Sequence, residues 1–554
     1  MTPEQLSDVI VSALSALVER GDIALPDGVP SSVRVERPKQ REHGDYATNV
    51  ALQLAKKSGQ NPRDFAQLLA DELAQATGVA SAEIAGPGFL NLRVEAAAQG
   101  EVAAQIVAAG EAYGASDALA GTAVNLEFIS ANPTGPLHIG HTRWAAVGDA
   151  MARVLSAAGA TVTREFYTND RGTQMDNFGA SLMASIHGEA TPDDGYHGAY
   201  IDDLARAIVA ADPSITELAR EDQLVAFREA GYERQLAEQR EQLDAIRTHF
   251  DVWFSERSLH DSGAVEHGLD VLKQQGHIFE ADGAEWMRTT DFGDDKDRVL
   301  VRSNGDYTYF ASDTAYYVNK RERGFDLCIY LLGADHHGYV GRLKAMAACA
   351  GDEPDRNLQV LIGQLVKILK DGEELKLSKR AGTLVTLQEL VDLIGVDSLR
   401  YSLTRYPTDS PLTLDVDEIT RQASDNPVFY VQYAHARLSS ILRNAADLGI
   451  ETDAATFDAS RLSHEREGTL LRALAEFPRV VSKAAELREP HRVARYLEDT
   501  ASTFHKFYDH CRVLPFGDEE ASDLHRARLT LTAATRVVLR NGLDLLGVSA
   551  PERM

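Results

Sequence analysis

The sequence predicts an α/β chain organised around a doubly wound parallel sheet, with an α+β domain before it and an all-α helical bundle after it. Three observations predict this. AVNLEFIS (123–130) is an apolar run suited to a buried parallel strand; it leads through ANPTGP into a helix over about 137–158, and TVTREFYTND then resumes as a strand. That strand–loop–helix–strand order is a right-handed crossover of a doubly wound sheet. Further strand-like runs follow at RVLVRS (298–303), YTYFAS (307–312), LCIYLLG (327–333) and VLIGQLV (360–366). From Asp425 the pattern turns wholly helical, with Val428, Val431, Leu438, Ile441 and Leu442 on one face.

In chain order, the opening MTPEQLSDVIVSALSALVERGD reads as an amphipathic helix; it carries Glu4 and Asp8 and lacks the basic leader of a signal peptide. Gly86-Pro87-Gly88 turns the chain into the strand FLNLRV, and an Ala-rich helix runs from Ala96 to Ala109. Residues 1–110 are therefore expected to form one domain. Pro133 and Pro136 keep ANPTGP out of helix, and Gly159 stops the helix that follows. The sheet domain is expected over 111–370, with a charged helical insertion at about 180–280, a connecting stem over 371–425 and the bundle over 426–554.

A chain of 554 residues exceeds one compact core. With 44% hydrophobic and 25% charged residues it has ordinary globular composition, not that of a disordered chain. No run of eighteen apolar residues occurs, so no membrane span is expected. Three cysteines (Cys328, Cys349 and Cys511) lie far apart without a CxxC pair. That argues against a disulfide framework and a structural zinc, and for a reducing cytosol. The net charge of -28 looks adverse to nucleic acid, since phosphate contacts need Lys and Arg. The acid is unevenly spread, however: residues 431–554 hold 17 Lys+Arg against 18 Asp+Glu, a net of -1. A basic face in the C-terminal part remains open.

The sharpest motif is His138-Ile139-Gly140-His141, placed where the first strand hands over to a helix. A helix N-terminus offers unpaired amides and the positive end of the dipole to a phosphate. Gly140 allows close approach to the backbone, and two imidazoles three positions apart share one face. Lys376-Leu377-Ser378-Lys379-Arg380 supplies a cationic clamp for a triphosphate. Alone, such a run is more often solvated surface.

In this order the two motifs resemble the HIGH and KMSKS signatures of class I aminoacyl-tRNA synthetases, with Leu377 for Met and Arg380 for the final Ser. Longer stretches resemble arginyl-tRNA synthetases: HGDYATNVAL (43–52), EFISANPTGPLHIGH (127–141), YTNDRGTQM (167–175), GYHGAYI (195–201), DVWFSE (251–256), RSNGDYTYFASDTAY (302–316), GADHHGY (333–339) and NPVFYVQYAHARL (426–438). Cysteinyl relatives are disfavoured by the missing zinc cysteines. The nearest rivals are another class I synthetase, a small nucleotidyltransferase sharing HIGH, and a silent relative that only binds tRNA.

The resemblance implies a Rossmann-type catalytic domain that ligates L-arginine to tRNA(Arg) through an arginyl-adenylate, consuming ATP with Mg2+. His138, His141 and Lys379 are the implied catalytic residues. ATP would meet His138, Gly140, His141, Gly333, Asp335, His337, Lys376 and Lys379; arginine would meet Glu127, Asn132, His138, Tyr309, Asp313 and Gln364. A guanidinium fork needs carboxylates and aromatic faces, which agrees with that set. The plain alternatives are a strand-end carboxylate for Glu127, a strand aromatic for Tyr309 and a helix N-cap for Asp313. GADHHGY invites a metal reading at Asp335, His336 and His337, but adjacent histidines rarely face one ion. The acidic turn Asp294-Asp295-Lys296-Asp297 is a substrate contact or a solvated loop. The N-terminal domain would meet the tRNA elbow near its D-loop and the bundle the anticodon, with Arg492, Arg495, Arg526, Arg528, Arg536 and Arg540 as candidate phosphate contacts. No editing domain, a monomer and a cytoplasmic location are expected.

Overall fold

The computed structural model describes the chain apart from residues 39, 376–384 and 452–456 and the side chain of residue 41. The predicted Lys376 and Lys379 lie outside the described residues.

The first helix, Pro3–Arg20, starts under a Thr2–Gln5 capping box with Pro3 in its first turn. It packs with the helices Val50–Ser58 and Pro62–Leu73 on an antiparallel sheet of Tyr46–Thr48, Phe89–Val94 and Val79–Ala85, burying Leu6, Ile10, Leu14, Phe65, Leu90 and Leu92. The helix Ala96–Ala109 leaves this unit. Its Val102, Ala103 and Ile106 are buried among residues of the C-terminal bundle.

The central sheet comprises β1 (Ala123–Glu127), β2 (Thr161–Thr168), β3 (Val252–Ser255), β4 (Leu327–Gly333) and β5 (Leu358–Gly363), all parallel, in the order β5-β4-β1-β2-β3. Helix α1 (Ile139–Ala157) crosses from β1 to β2, and α2 (Tyr309–Glu322) precedes β4. The chain reverses direction across the sheet between β1 and β4, so the crevice at their C-terminal ends is where ligands of such sheets bind. Two glycines let α1 sit close to the sheet. A Cβ on Gly148 would stand 2.3 Å from the Phe128 ring, and one on Gly363 would stand 2.1 Å from Trp144. Gly148→Ala is therefore expected to overpack this contact and cost about 1–3 kcal/mol. The check is a lower urea midpoint; an unchanged midpoint refutes it.

Several elements depart from the sequence reading. The strand expected over 123–130 ends at Glu127, because Ile129 and Ser130 take φ of 71° and 47° and break the extended backbone. YTYFAS is not a strand. The Thr308 hydroxyl accepts the Ala311 amide and opens α2 at Tyr309, so a cap overrides the aromatic β preference. RVLVRS contributes Arg298–Val301 to a separate antiparallel sheet with Ile278–Ala281 and Ala284–Met287. The run 360–366 splits at Gln364, whose amide donates to the Thr408 carbonyl at 2.9 Å instead of continuing the ladder. Val366–Lys370 then pairs with Leu412–Asp415.

Three helices, Thr173–His187, Ala199–Ala211 and Arg220–Ala245, form a unit outside the sheet, and the chain then returns to it as β3. Within the expected insertion, residues 252–255 thus belong to the parallel sheet. The bundle is built from Pro427–Asp447, Glu465–Ala475, Phe477–Leu487, His491–His510 and Asp523–Leu545. Val428, Val431, Leu438 and Ile441 are buried on the predicted face and Leu442 is partly covered. The bundle is tied to the sheet domain through Arg400, which is 1% exposed at its side chain. Its guanidinium donates to Asp149 of α1 at 2.6 Å and to the carbonyls of Ile246 and Leu546 at 2.7 and 3.1 Å.

Candidate active site

The C-terminal ends of the strands bring several of the predicted residues to one side of the sheet. Glu127 closes β1 opposite Tyr330, and Gly333 pairs with Gly363 at the ends of β4 and β5. Immediately above β1, the loop 128–137 carries Asn132 and delivers His138 to the start of α1. The insertion helix Arg220–Ala245 braces this loop. Gln239 donates to the carbonyls of Asn132 and Gly135 at 3.1 and 2.8 Å, and Gln242 accepts the Leu137 amide at 3.2 Å. Tyr200 adds a bond to the Thr134 carbonyl at 3.1 Å. The sequence reading saw only charged helix here, because side chains reaching a loop a hundred residues upstream leave no local signal.

His138 is the N-cap of α1. Its Nδ1 accepts the Gly140 amide at 3.1 Å, and its own amide donates to the His141 Nδ1 at 3.3 Å. The rings lie 4.0 Å apart. Sequence reasoning expected these amides to face a phosphate unpaired; instead the two imidazoles occupy them as a capping box. With both Nδ1 atoms accepting, the neutral rings carry their protons on Nε2. Any proton that a neutral ring donates to a ligand then comes from Nε2. His138 also pairs through its backbone with Thr386, and Leu387 donates to the Leu137 carbonyl at 2.8 Å. The chain leaving the lysine segment is thus anchored against α1.

On the other side of the crevice, α2 presents Tyr309 and Asp313. Tyr309 is 73% exposed. Asp313 is half-buried and accepts a hydrogen bond from the Tyr339 hydroxyl. Burial pushes its carboxyl up to about 6, with the Glu127 carboxylate adding to the rise and Tyr339 and Arg342 opposing it. Glu256, which opens the helix after β3, is 5% exposed. Burial raises it to about 7, reinforced by Asp313 and Asp170. Glu256 ends the stretch DVWFSE, where nothing in the local sequence marks it for a role. These carboxyls share too little water to ionise comfortably, and a cation placed among them relieves the repulsion.

The turn 334–339 after β4 leaves Asp335 and His337 exposed, and Asp335 lies 3.5 Å from His336. His337 and Gln364 both line a cavity of about 740 Å³ that runs toward Thr408, Arg488 and His491. Arg143, buried two positions past the motif, holds that side by donating to the carbonyls of Gln364, Pro407 and Ser410 at 2.9, 2.8 and 3.0 Å. Among the described residues, no group of three His, Cys, Asp or Glu side chains is placed to hold a metal ion. In the acidic turn, Asp294 grips Arg298 at 2.7 and 2.8 Å and is held well below the usual carboxylate range, which spends it on the local fold.

Over its length the chain matches three family descriptions: arginyl tRNA synthetase N terminal domain over residues 4–94, tRNA synthetases class I (R), catalytic domain, over 103–400, and DALR anticodon binding domain over 431–554. It is 58% identical to the arginine–tRNA ligase of Renibacterium salmoninarum and 57% identical to that of Frankia alni, each match covering 100% of both chains. The chain belongs to the arginyl-tRNA synthetase family. Among solved structures, an arginyl tRNA synthetase of Campylobacter jejuni superposes with a TM-score of 0.75 at 31% identity, covering 83% of this chain and 100% of that one. The Thermus thermophilus arginyl-tRNA synthetase shares the fold at a TM-score of 0.74 and 24% identity over the whole of both chains.

The bundle of this synthetase carries a second recess. Phe429, Tyr430, Tyr433, Arg437, His505 and Asp509 line about 350 Å³. The Tyr433 ring, 42% exposed, is stacked 6.1 Å from Phe429 and 6.1 Å from His505. Four of the predicted phosphate contacts are otherwise engaged: Arg528 donates to the buried Glu467 at 2.7 Å and to the Arg512 carbonyl at 2.8 Å, Arg540 pairs with Glu111 at 2.5 Å, Arg492 pairs with Glu489, and Arg526 donates to the Ala521 carbonyl at 2.9 Å and pairs with Asp523 at 3.6 Å.

Proposed function

We propose that this chain joins L-arginine to tRNA(Arg) through an arginyl-adenylate, releasing pyrophosphate and then AMP. The observation that carries this is the nest of Asp313, Glu127 and Glu256 beside the histidine-capped start of α1. It unites a site for a guanidinium with a site for a triphosphate. The arginine carboxylate attacks the α-phosphorus in line. A carboxylate is already anionic at neutral pH, so no general base is needed and the protein's part is positioning and charge neutralisation. Tyr309 and Asp313 take the guanidinium, Asn132 and Gln364 orient the substrate, and Gly333, Asp335 and His337 meet the adenosine. His138 and His141 donate to the α- and β-phosphates. Lys379, with Lys376, holds the β- and γ-phosphates of ATP, which enters as its Mg2+ complex. The arginyl group then passes to the terminal ribose at its 2′-hydroxyl, and adenylate formation awaits tRNA. The enzyme acts as a monomer in the cytoplasm.

Residues 1–110 meet the tRNA elbow, 111–370 perform the chemistry, 371–425 carry the lysine loop and stem, and 426–554 meet the anticodon. The stacked aromatic recess supports the last assignment, because base–aromatic stacking is how unpaired nucleotides are held. Tyr433→Ala is expected to raise the KM for tRNA roughly 5- to 100-fold, the loss of one stacked base. Arginine-binding affinity should stay unaltered, and an unchanged tRNA KM removes Tyr433 from the interface.

The pH dependence has a definite sign. Asp313 and Glu256 are raised, so the free site takes up protons as pH falls through about 7 and then about 6. Arginine needs the ionised carboxylates, so its KM should climb on acidification from pH 8 to 5.5, approaching about tenfold per pH unit for each proton displaced. A flat profile over that range contradicts the acidic pocket.

The deciding experiment is aminoacylation of total tRNA with each amino acid offered separately with ATP and Mg2+. Charging with lysine or glutamine in place of arginine overturns the specificity, and no charging at all favours a silent relative.

A further inference from the structure

The carboxylates of the crevice are not equivalent, and the difference lies in a lysine that no local motif marks. Lys320 stands on α2 seven residues after Asp313, two turns along the same face. It is fully buried. Its Nζ donates to Glu127 Oε2 at 2.5 Å and sits 4.3 and 3.9 Å over the rings of Tyr316 and Tyr330, a cage that stabilises an ammonium without water. The neighbouring carboxylate, Glu165, is only 4.0 Å away but already has a partner: Arg323 donates to both its oxygens at 2.6 and 2.9 Å, and the Tyr316 hydroxyl adds a bond at 2.5 Å. The hydrogen bond of Lys320 therefore goes to Glu127, with Glu165 a more distant charge partner. The other Glu127 oxygen accepts the Ser130 hydroxyl at 3.0 Å, from a residue held at a φ of 47°. Both carboxylate oxygens are pinned from the protein side. Asp313, by contrast, has the neutral Tyr339 hydroxyl as its bonded partner.

We propose that Lys320 is a positioning residue for arginine recognition: it pairs with the buried Glu127 and fixes it at the end of β1, leaving Asp313 as the carboxylate whose charge is answered by the incoming guanidinium. This rests on the reading that Glu127 touches arginine. Removing the ammonium takes away the bond that holds one Glu127 oxygen and strands a buried carboxylate without its partner, so Glu127 no longer presents a fixed face to the substrate. Lys320 itself touches no substrate.

The test compares Lys320→Met, Glu127→Gln and the double variant Glu127→Gln/Lys320→Met, measuring KM for arginine, KM for ATP and kcat in tRNA charging. Lys320→Met should raise the arginine KM by about tenfold or more, as for loss of a buried partner, with ATP KM and kcat nearly unmoved. Glu127→Gln should raise the arginine KM as well. The double variant should be no worse than Glu127→Gln alone, because Lys320 acts only through Glu127. A wild-type arginine KM in Lys320→Met, or equal losses for arginine and ATP, overturns the proposal. So does a double variant whose arginine KM multiplies the two single effects. If Lys320→Met alone does not fold, the neutral Gln/Met pair leaves no stranded charge, and its comparison with Glu127→Gln decides the question. An unaffected arginine KM in Glu127→Gln instead refutes the contact between Glu127 and arginine, a different failure from a Glu127→Gln effect that Lys320→Met does not share.

Discussion

Asp313→Ala is expected to raise the KM for arginine by roughly two to three orders of magnitude, the usual cost of cutting one partner from a buried charge pair. The KM for ATP should move by less than about threefold, since nothing ties Asp313 to the phosphates. The asymmetry follows from where the carboxyl sits. It projects from the first turns of α2 into a crevice whose other carboxyls, Glu127 and Glu256, raise its energy when it ionises. That repulsion is released when a guanidinium arrives, so the pocket favours a cation over any neutral amino acid. Asp313→Asn keeps the shape and the bond from Tyr339 but removes the charge, and it should lose nearly as much. Equal rises in the two KM values would take Asp313 out of the pocket. A milder Asn variant would make shape, not charge, the determinant.

The fold was largely legible because its signals are local. The apolar run of β1, the prolines of ANPTGP and Gly159 place one crossover by themselves, and the helical spacing of Val428, Val431, Leu438 and Ile441 matches the buried face of the bundle. What was misread turned on single bonds. An aromatic-rich run reads as a strand until the Thr308 hydroxyl caps it into helix. An apolar run reads as continuous until Gln364 turns its amide to Thr408. At the site, the motif histidines were visible as a pair, but their use of the helix amides as a capping box was not, since that depends on ring orientation. Glu256, Arg143 and Lys320 were missed for one reason. Each acquires meaning from partners 57, 221 and 193 positions away, and no periodicity reports such pairs.

Loss of phosphate handling should look different from loss of arginine recognition. His141→Ala and Lys379→Ala are each expected to slow arginine-dependent pyrophosphate exchange, measured with tRNA present, by about 100- to 1,000-fold, the cost of one donor aimed at charge that develops in the transition state. Arginine binding measured without ATP should change little in either. For His141 the argument is geometric: its Nδ1 accepts the His138 amide, which fixes the ring at the start of α1 before a ligand arrives. His141→Ala also removes half the capping box at the start of α1. Loss of a cap costs roughly 1 kcal/mol of stability, and the urea midpoint separates that from the catalytic loss. Lys379, the other half of the proposed clamp, precedes by seven positions Thr386, whose backbone pairs with that of His138. If histidine and lysine grip the same triphosphate from opposite sides, the double variant should lose less than the product of the single effects, because either loss already lets the phosphates swing. Fully multiplicative losses would mean that the two groups act on separate steps. An unchanged exchange rate in Lys379→Ala would reject the clamp altogether.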